Sequence, residues 1–292
     1  MKVTGFSFIK NALIYDYPIV EAITSILPIC NDFVVAVGKS DDDTLQLISQ
    51  IAPEKIRIIE TEWDESLREG GRVLAVETDK AFKEISGDAD WCFYIQGDEV
   101  VHEKYLETIR GAMLAHKDNP NIEGLLFKYK HFYGSYDYVG ASSNWYKKEI
   151  RAVKNNPSVY SYRDAQGFRI RENEKLRVYP IEAYIYHYGW VKTPEAMQRK
   201  QENFHKYWHN DEWVAQHITK AEAFDYESHV RELRPFAETH PKVMEKRIKE
   251  KGWDFDYDIS IDRRTLKDKV KSFLGDQFGI ELGYKNYQIA KR

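Results

Sequence analysis

Trp91-Cys92-Phe93-Tyr94-Ile95 runs straight into Gln96-Gly97-Asp98-Glu99, five apolar residues followed by four that are polar, small or acidic. The aromatic and aliphatic run reads as a buried strand, and its abrupt end sets carboxylates just beyond the strand's carboxyl edge. Upstream, Gly70-Gly71 punctuates the chain before a helix from about Arg72 to Ile85, and Ile56 to Ile59 reads as another strand. Before that come a helix from Thr44 to Ile51 and a β-branched strand from Phe33 to Val37, which ends at Gly38-Lys39-Ser40-Asp41-Asp42-Asp43. Tyr17 to Leu27 has helical apolar spacing, with Asp16 as N-cap and Pro18 in the first turn; Val3 to Ile9 is a first strand ending at Lys10-Asn11. Four alternations of strand and helix with short connections predict an α/β fold, a mostly parallel sheet flanked by helices. Ligands of such sheets bind beyond the carboxyl ends of the strands, so the three polar clusters are expected to meet at one edge.

Past this frame the pattern changes. Leu125 to about His187 reads as strands joined by polar, aromatic-rich loops, and from Pro194 the chain turns helical and charged, with Met197, Lys200, Phe204 and Trp208 on one face. One domain is expected over 1–205, with a helical extension over 206–292. Within the extension Leu266, Val270, Phe273, Leu274 and Phe278 form an apolar stripe beside basic residues. Packing against the domain is the expectation for that stripe. Peripheral contact with an anionic membrane is the alternative, weakened by Asp268, Asp276 and Glu281 in the same run.

The 292 residues can form one large α/β domain, alone or with an appendage. No stretch has the length and apolarity of a membrane span, and the N-terminus lacks the basic start and small-residue cleavage site of a signal peptide. Cys30 and Cys92 sit in separate apolar runs, which suits two buried thiols in a reducing compartment. A cytoplasmic address follows, with the inner membrane face as its variant. A net charge of −4 argues against nucleic-acid partners. There is no internal repeat.

Carboxylates beyond a buried strand can hold a hard cation, and Mg²⁺ or Mn²⁺ bridging two phosphates needs only one or two of them from the protein. Gly97 would let backbone approach such a ligand. The plainer reading is a solvated loop that opens the next helix. The order Phe6-Ser7-Phe8-Ile9-Lys10-Asn11, then Val34-Val35-Ala36-Val37 with acids after it, then Tyr94-Ile95-Gln96-Gly97-Asp98-Glu99, resembles glycosyltransferase family 2 on a GT-A fold. The resemblance implies transfer of a sugar from a UDP-, GDP- or dTDP-sugar to a glycan, lipid-linked or protein acceptor, with inversion and with Mn²⁺ or Mg²⁺. Residues 1–100 would then be the nucleotide-sugar half and 101–205 the acceptor half. Asp41, Asp42 or Asp43 would contact the base and ribose, and Asp98 with Glu99 would stand at the metal. Lys10, Asn11, Gln96 and Gly97 fall on the donor-binding loops. Gln96 departs from the pattern, since it occupies the first Asp position of the Asp-x-Asp-type motif.

His187, in Tyr184-Ile185-Tyr186-His187-Tyr188-Gly189-Trp190, matches the late histidine that similar transferases use as a metal ligand. A half-buried histidine bonded to a carbonyl is its alternative. Inverting transfer needs a carboxylate to take the acceptor's proton. Asp164, in Ser161-Tyr162-Arg163-Asp164-Ala165-Gln166-Gly167-Phe168, is the candidate, ahead of Glu172 and Glu149. Arg72 could fork onto the donor diphosphate, or simply face solvent at a helix start; Arg151 and Lys10 have the same two readings. Trp145, Tyr146, Tyr136 and Tyr138 suit either an acceptor platform or the core. Two rivals stand beside a transferase: a catalytically inactive nucleotide-sugar-binding module, and a sugar-nucleotide nucleotidyltransferase. The latter would want a Gly-rich, Arg-containing loop where Ile9-Lys10-Asn11-Ala12 stands. A dinucleotide-binding protein lacks its Gly-x-Gly-x-x-Gly.

Overall fold

The computed structural model describes every residue except 219–220, 261, 279–283 and 291–292, and omits the side chains of 272 and 274–278. The first half alternates as β1 (Val3–Ile9), α1 (Ile19–Ile26), β2 (Asp32–Gly38), α2 (Thr44–Ser49), β3 (Ile56–Thr61), α3 (Arg72–Lys83) and β4 (Trp91–Tyr94). There follow β5 (Glu99–Val101), α4 (Leu106–His116), β6 (Gly124–Tyr133), β7 (Tyr138–Gly140), β8 (Lys148–Lys154), β9 (Val159–Tyr162), β10 (Gly167–Ile170), β11 (Glu174–Lys175) and β12 (Arg177–Trp190). The chain then forms α5 (Pro194–Phe204), α6 (Asp211–His217), β13 (Leu233–Pro235), α7 (Glu245–Lys249), α8 (Leu266–Phe278) and β14 (Gln288–Ile289).

The α/β class is the one expected. Strands β3, β2, β1 and β4 lie side by side in parallel, with Phe6 opposite both Val34 and Tyr94. Antiparallel β8 continues the sheet from β4 to β6, and β6 runs parallel to the long β12. The parallel strands are apolar on both faces because both are covered. Phe33, Val35, Val37, Trp91 and Phe93 pack toward α1 and α4; Phe6, Val34, Ala36, Cys92 and Tyr94 pack toward α3 and the β9–β10 hairpin, where Phe168 meets Phe6 and Tyr94. Cys30 and Cys92 are free and buried, and burial raises both thiols.

Asp16 does not cap α1. That helix starts at Ile19 with Pro18 in the capping position, while Asp16 sits at φ 48° with its carboxylate paired to Arg247. After residue 205 the chain adds helices and two short strands, β13 against β7 and β14 against β12. Leu266 and Val270 are 83% and 57% exposed, so these two are not buried against the domain as expected of the stripe; Phe273 is 59% exposed. The side chains of Leu274, Asp276 and Phe278, and the whole of Glu281, lie outside the described residues. Among the described residues no helix is long and apolar enough to cross a membrane.

Candidate active site

A cavity of about 450 Å³ opens at the carboxyl ends of β1 and β4. The turn after β4 supplies Gln96, Gly97 and Asp98; the segments after β1 and β3 supply Lys10 and Trp63. Asp164 and Gln166 come from the β9–β10 turn, His187 and Trp190 from the end of β12, and Lys200, Phe204 and Tyr207 from α5 and the turn that follows it. Two of the three expected clusters therefore meet here.

Asp98 is fixed through its backbone, whose carbonyl accepts from the Tyr188 N–H at 2.8 Å. Its Oδ1 lies 3.7 Å from His187 Nε2 and its Oδ2 lies 3.4 Å from Lys200 Nζ. Burial alone would raise this carboxyl, but the neighbouring charges of His187, Lys200 and Lys192 outweigh it and bring it down to about 2. Lys200 also donates to the Gly189 carbonyl at 2.9 Å. Burial lowers Lys200, opposed by Asp98, and burial beside Lys200 pulls Lys192 down to about 7.

The protons on His187 follow from its neighbours. His131, opposite His187 in the β6–β12 pair, has Nε2 2.8 Å from the Tyr146 carbonyl. A carbonyl can only accept, so His131 carries its proton on Nε2 and presents a lone pair at Nδ1. That atom lies 3.1 Å from His187 Nδ1, which must then donate. Burial lowers both imidazoles, opposed at His187 by the Asp98 and Glu99 carboxylates. With Nδ1 turned to His131, His187 presents Nε2 to Asp98 Oδ1 across a gap of 3.7 Å. The gap depends on Gly189, where a Cβ would come within 2.7 Å of both Asp98 Oδ2 and His187 Nε2.

Glu99, expected beside Asp98 at a metal, is spent elsewhere. Its carboxylate takes Arg151 Nε and Nη2 at 2.7 Å each, the Tyr129 hydroxyl at 2.7 Å and the Gln96 N–H at 3.2 Å. Both ion-pair side chains are 0% exposed. Arg151 is thus a core residue rather than a diphosphate ligand. Among the described residues no group of three or more His, Cys, Asp or Glu side chains is placed to hold a metal. Asp98 and His187 are the two side chains here that could donate to one. Two protein donors suit a hard cation that completes its shell with phosphate and water oxygens, and the glycine-lined gap between them fits one.

Asp164 faces the cavity from a strained turn, its neighbours Arg163 and Ala165 both at positive φ, 55° and 61°. Burial raises its carboxyl, opposed by its own N–H and that of Gln166. Gln96 reaches across to this turn, its Nε2 donating to the Ala165 carbonyl at 3.1 Å and to the Tyr94 hydroxyl at 3.3 Å. Of the substitutes, Glu172 is exposed, and Glu149 is 1% exposed with one oxygen unpartnered; burial, opposed by Arg151, lifts it to about 7. Neither lines the cavity.

The acids after β2 lie outside the cavity, Asp41 and Asp43 exposed to solvent. Asp41 and Asn11 exchange hydrogen bonds at 2.8 and 3.2 Å, and Asp42 accepts from the N–H groups of Leu13 and Ile14 at 2.9 Å and of Thr44 at 3.0 Å. Neither Asn11 nor Asp41, Asp42 or Asp43 lines the cavity, and Arg72 is exposed outside it. Lys10 does line it, 5.6 Å above the Trp63 ring. Tyr136 is core and Tyr146 reaches the cavity; Trp145 stacks on His131.

Sequence reasoning missed His131, Trp63 and the role of Lys200. A lysine on the apolar face of Met197 and Phe204 was the one legible signal. Trp63 lines the cavity, but its indole N–H is buried beside Gly38 without a partner.

No family model and no curated protein matches the chain. Among solved structures it is similar to S. aureus TarS 1-349 in complex with UDP, with 14% identity and a TM-score of 0.42 over 76% of this chain and 68% of that one. Glucosyl-3-phosphoglycerate synthase from Mycobacterium tuberculosis, in complex with Mn²⁺, UDP and phosphoglyceric acid, matches at 18% identity and 0.29 over 45% of this chain and 43% of that one. A 4-diphosphocytidyl-2C-methyl-D-erythritolsynthase from Anaerococcus prevotii matches at 11% and 0.33 over 65% and 89%.

Proposed function

We propose that this chain is a glycosyltransferase of the family 2 type that moves a sugar from a nucleoside diphosphate donor to an acceptor hydroxyl with inversion, assisted by Mn²⁺ or Mg²⁺. The observation that carries the reading is the pair of side chains, Asp98 and His187, facing each other across Gly189 on the cavity that Asp164 also lines. A cation held there would neutralise charge developing on the departing diphosphate.

Asp164 accepts the acceptor's hydroxyl proton as that oxygen bonds to the anomeric carbon. The bond from that carbon to the diphosphate breaks on the opposite side, and its electrons leave with the nucleoside diphosphate. Gln96 holds the Ala165 carbonyl and so keeps the Asp164 turn in place. Lys10 and Trp63 suit the donor's charge and rings from the adjoining wall. The open half of the cavity would take a glycan or lipid-linked acceptor, at a cytoplasmic site or the inner membrane face.

Thermal-shift measurements with UDP-, GDP- and dTDP-sugars, with and without Mn²⁺ or Mg²⁺, test donor and cation together. One donor class should stabilise the fold, more so with the cation, and be slowly hydrolysed. Stabilisation without any turnover supports the inactive module instead; no stabilisation by any donor sinks the reading. Asp164→Asn should cut transfer by ~10²–10⁴-fold while donor affinity stays near wild type. Unchanged turnover removes it from the mechanism.

A further inference from the structure

Lys200 does not belong to any of the strand-end loops. It comes from the last turns of α5, 102 residues beyond Asp98, yet its ammonium meets the Asp98 carboxylate and lines the same cavity. Its side chain is 10% exposed, and apart from Asp98 it has the Gly189 carbonyl at 2.9 Å and the faces of Tyr17 and Phe204 at 5.1 and 5.7 Å. The contact to Asp98 is long, 3.4 Å, for a charged pair whose hydrogen bonds usually run near 2.8 Å. In charge terms the pair is neutral. A divalent ion entering between Asp98 and His187 would meet a fixed ammonium beside the same carboxylate, and one carboxylate cannot serve both fully.

The lysine has somewhere else to go. Its four-carbon stem is flexible and its head is a compact point charge suited to phosphate oxygens. The cavity onto which it opens is where the diphosphate lies in the reading given above. We propose that Lys200 is an exchangeable internal counter-ion. Without ligands it neutralises Asp98; when the cation arrives with the donor, it releases Asp98 and binds the diphosphate. The proposal rests on the cation site of the preceding section and adds to it a fourth participant and an order. The ion is disfavoured alone and favoured with a diphosphate, so that the ion and the donor each bind more weakly without the other.

The exchange predicts effects of opposite sign from one substitution. Lys200→Met should bind Mn²⁺ alone about 3- to 10-fold more tightly, because the competing charge is gone, as read from the free-ion paramagnetic resonance signal. In saturating Mn²⁺ the same variant should bind UDP, GDP or dTDP, whichever wild type prefers, about 10-fold or more weakly by titration calorimetry. Lys192→Met is the field control. Its ammonium bonds to the Asp16 carbonyl at 2.5 Å rather than to Asp98, so both affinities should move by less than about 3-fold. Lys200→Gln, which can keep the bond to Gly189, serves if the methionine variant does not melt cooperatively. Weaker diphosphate binding with unchanged Mn²⁺ affinity overturns the exchange and leaves Lys200 a plain phosphate ligand. Tighter Mn²⁺ binding with unchanged diphosphate affinity overturns it as well. Wild-type protein that binds no Mn²⁺ even with nucleoside diphosphate present overturns this proposal and the cation site together, so the two failures are told apart.

Discussion

Two acidic turns follow the two parallel strands that flank β1, Asp41 to Asp43 after β2 and Asp98-Glu99 after β4, and they end in opposite circumstances. After β2 the carboxylates turn back on the chain: Asp42 accepts three backbone N–H groups and Asp41 is locked to Asn11. After β4 one acid is consumed and one is presented. Glu99 is saturated by Arg151, Tyr129 and the Gln96 N–H, while Asp98 faces the cavity beside His187 and Lys200. What an acidic cluster can do depends on which donors reach it first. Local N–H groups make it a cap, a buried arginine makes it a strut, and only an acid that both leave unsatisfied is open to a ligand.

The sharpest test of that contrast is Asp98→Asn, which keeps shape and removes charge. Transfer should fall by about 10²–10³-fold and the Mn²⁺-dependent part of the thermal shift should vanish, since the charge facing the reacting diphosphate is gone. Asp41→Asn and Asp43→Asn should leave both within about 3-fold of wild type, because neither lines the cavity. Comparable losses from the 41–43 loop would collapse the distinction between the two turns.

Glu99→Gln attacks stability first. It strands Arg151, 0% exposed, without its counter-charge, and breaking a buried pair costs about 3–5 kcal/mol. Denaturant melts should show that loss, and the fraction still folded should bind donor. Arg151 also holds the Gln166 carbonyl at 2.7 Å, so some loss of turnover by way of the Asp164 turn is expected. A variant of native stability that has lost Mn²⁺ binding would put Glu99 back at the metal.

Local pattern was enough for the frame. Continuous apolar runs ending in Gly and acids gave four parallel strands, because burial on both faces leaves that signature. It was enough too for Asp98, Gln96, Lys10 and the cavity edge, which follow from strand direction. The partition between Asp98 and Glu99 was not legible, since Arg151 and Tyr129 reach Glu99 from 52 and 30 residues away. The histidine relay was equally hidden, being a consequence of β6 and β12 lying in register at His131 and His187. Lys200 shows the middle case: its helix face could be read, but what that face would meet could not.

A smaller loss of stability than that of Glu99→Gln is expected at Asp42. Asp42→Ala removes one carboxylate but strands the N–H groups of Leu13, Ile14 and Thr44. Asp42 precedes the N-cap of α2, which is Asp43, but it takes the first N–H of that helix at Thr44, so a cost of the size of a lost cap, about 1–2 kcal/mol, is expected. Leu13 is 52% exposed, which lets water replace part of what is lost and pulls the figure toward the lower end. Asp42→Asn should recover most of it, because an amide oxygen still accepts. If Asp42→Asn instead kept full stability yet abolished donor binding, the turn after β2 would be reading the nucleoside after all, through a rearrangement that brings it round the Asn11–Ile14 segment into the cavity.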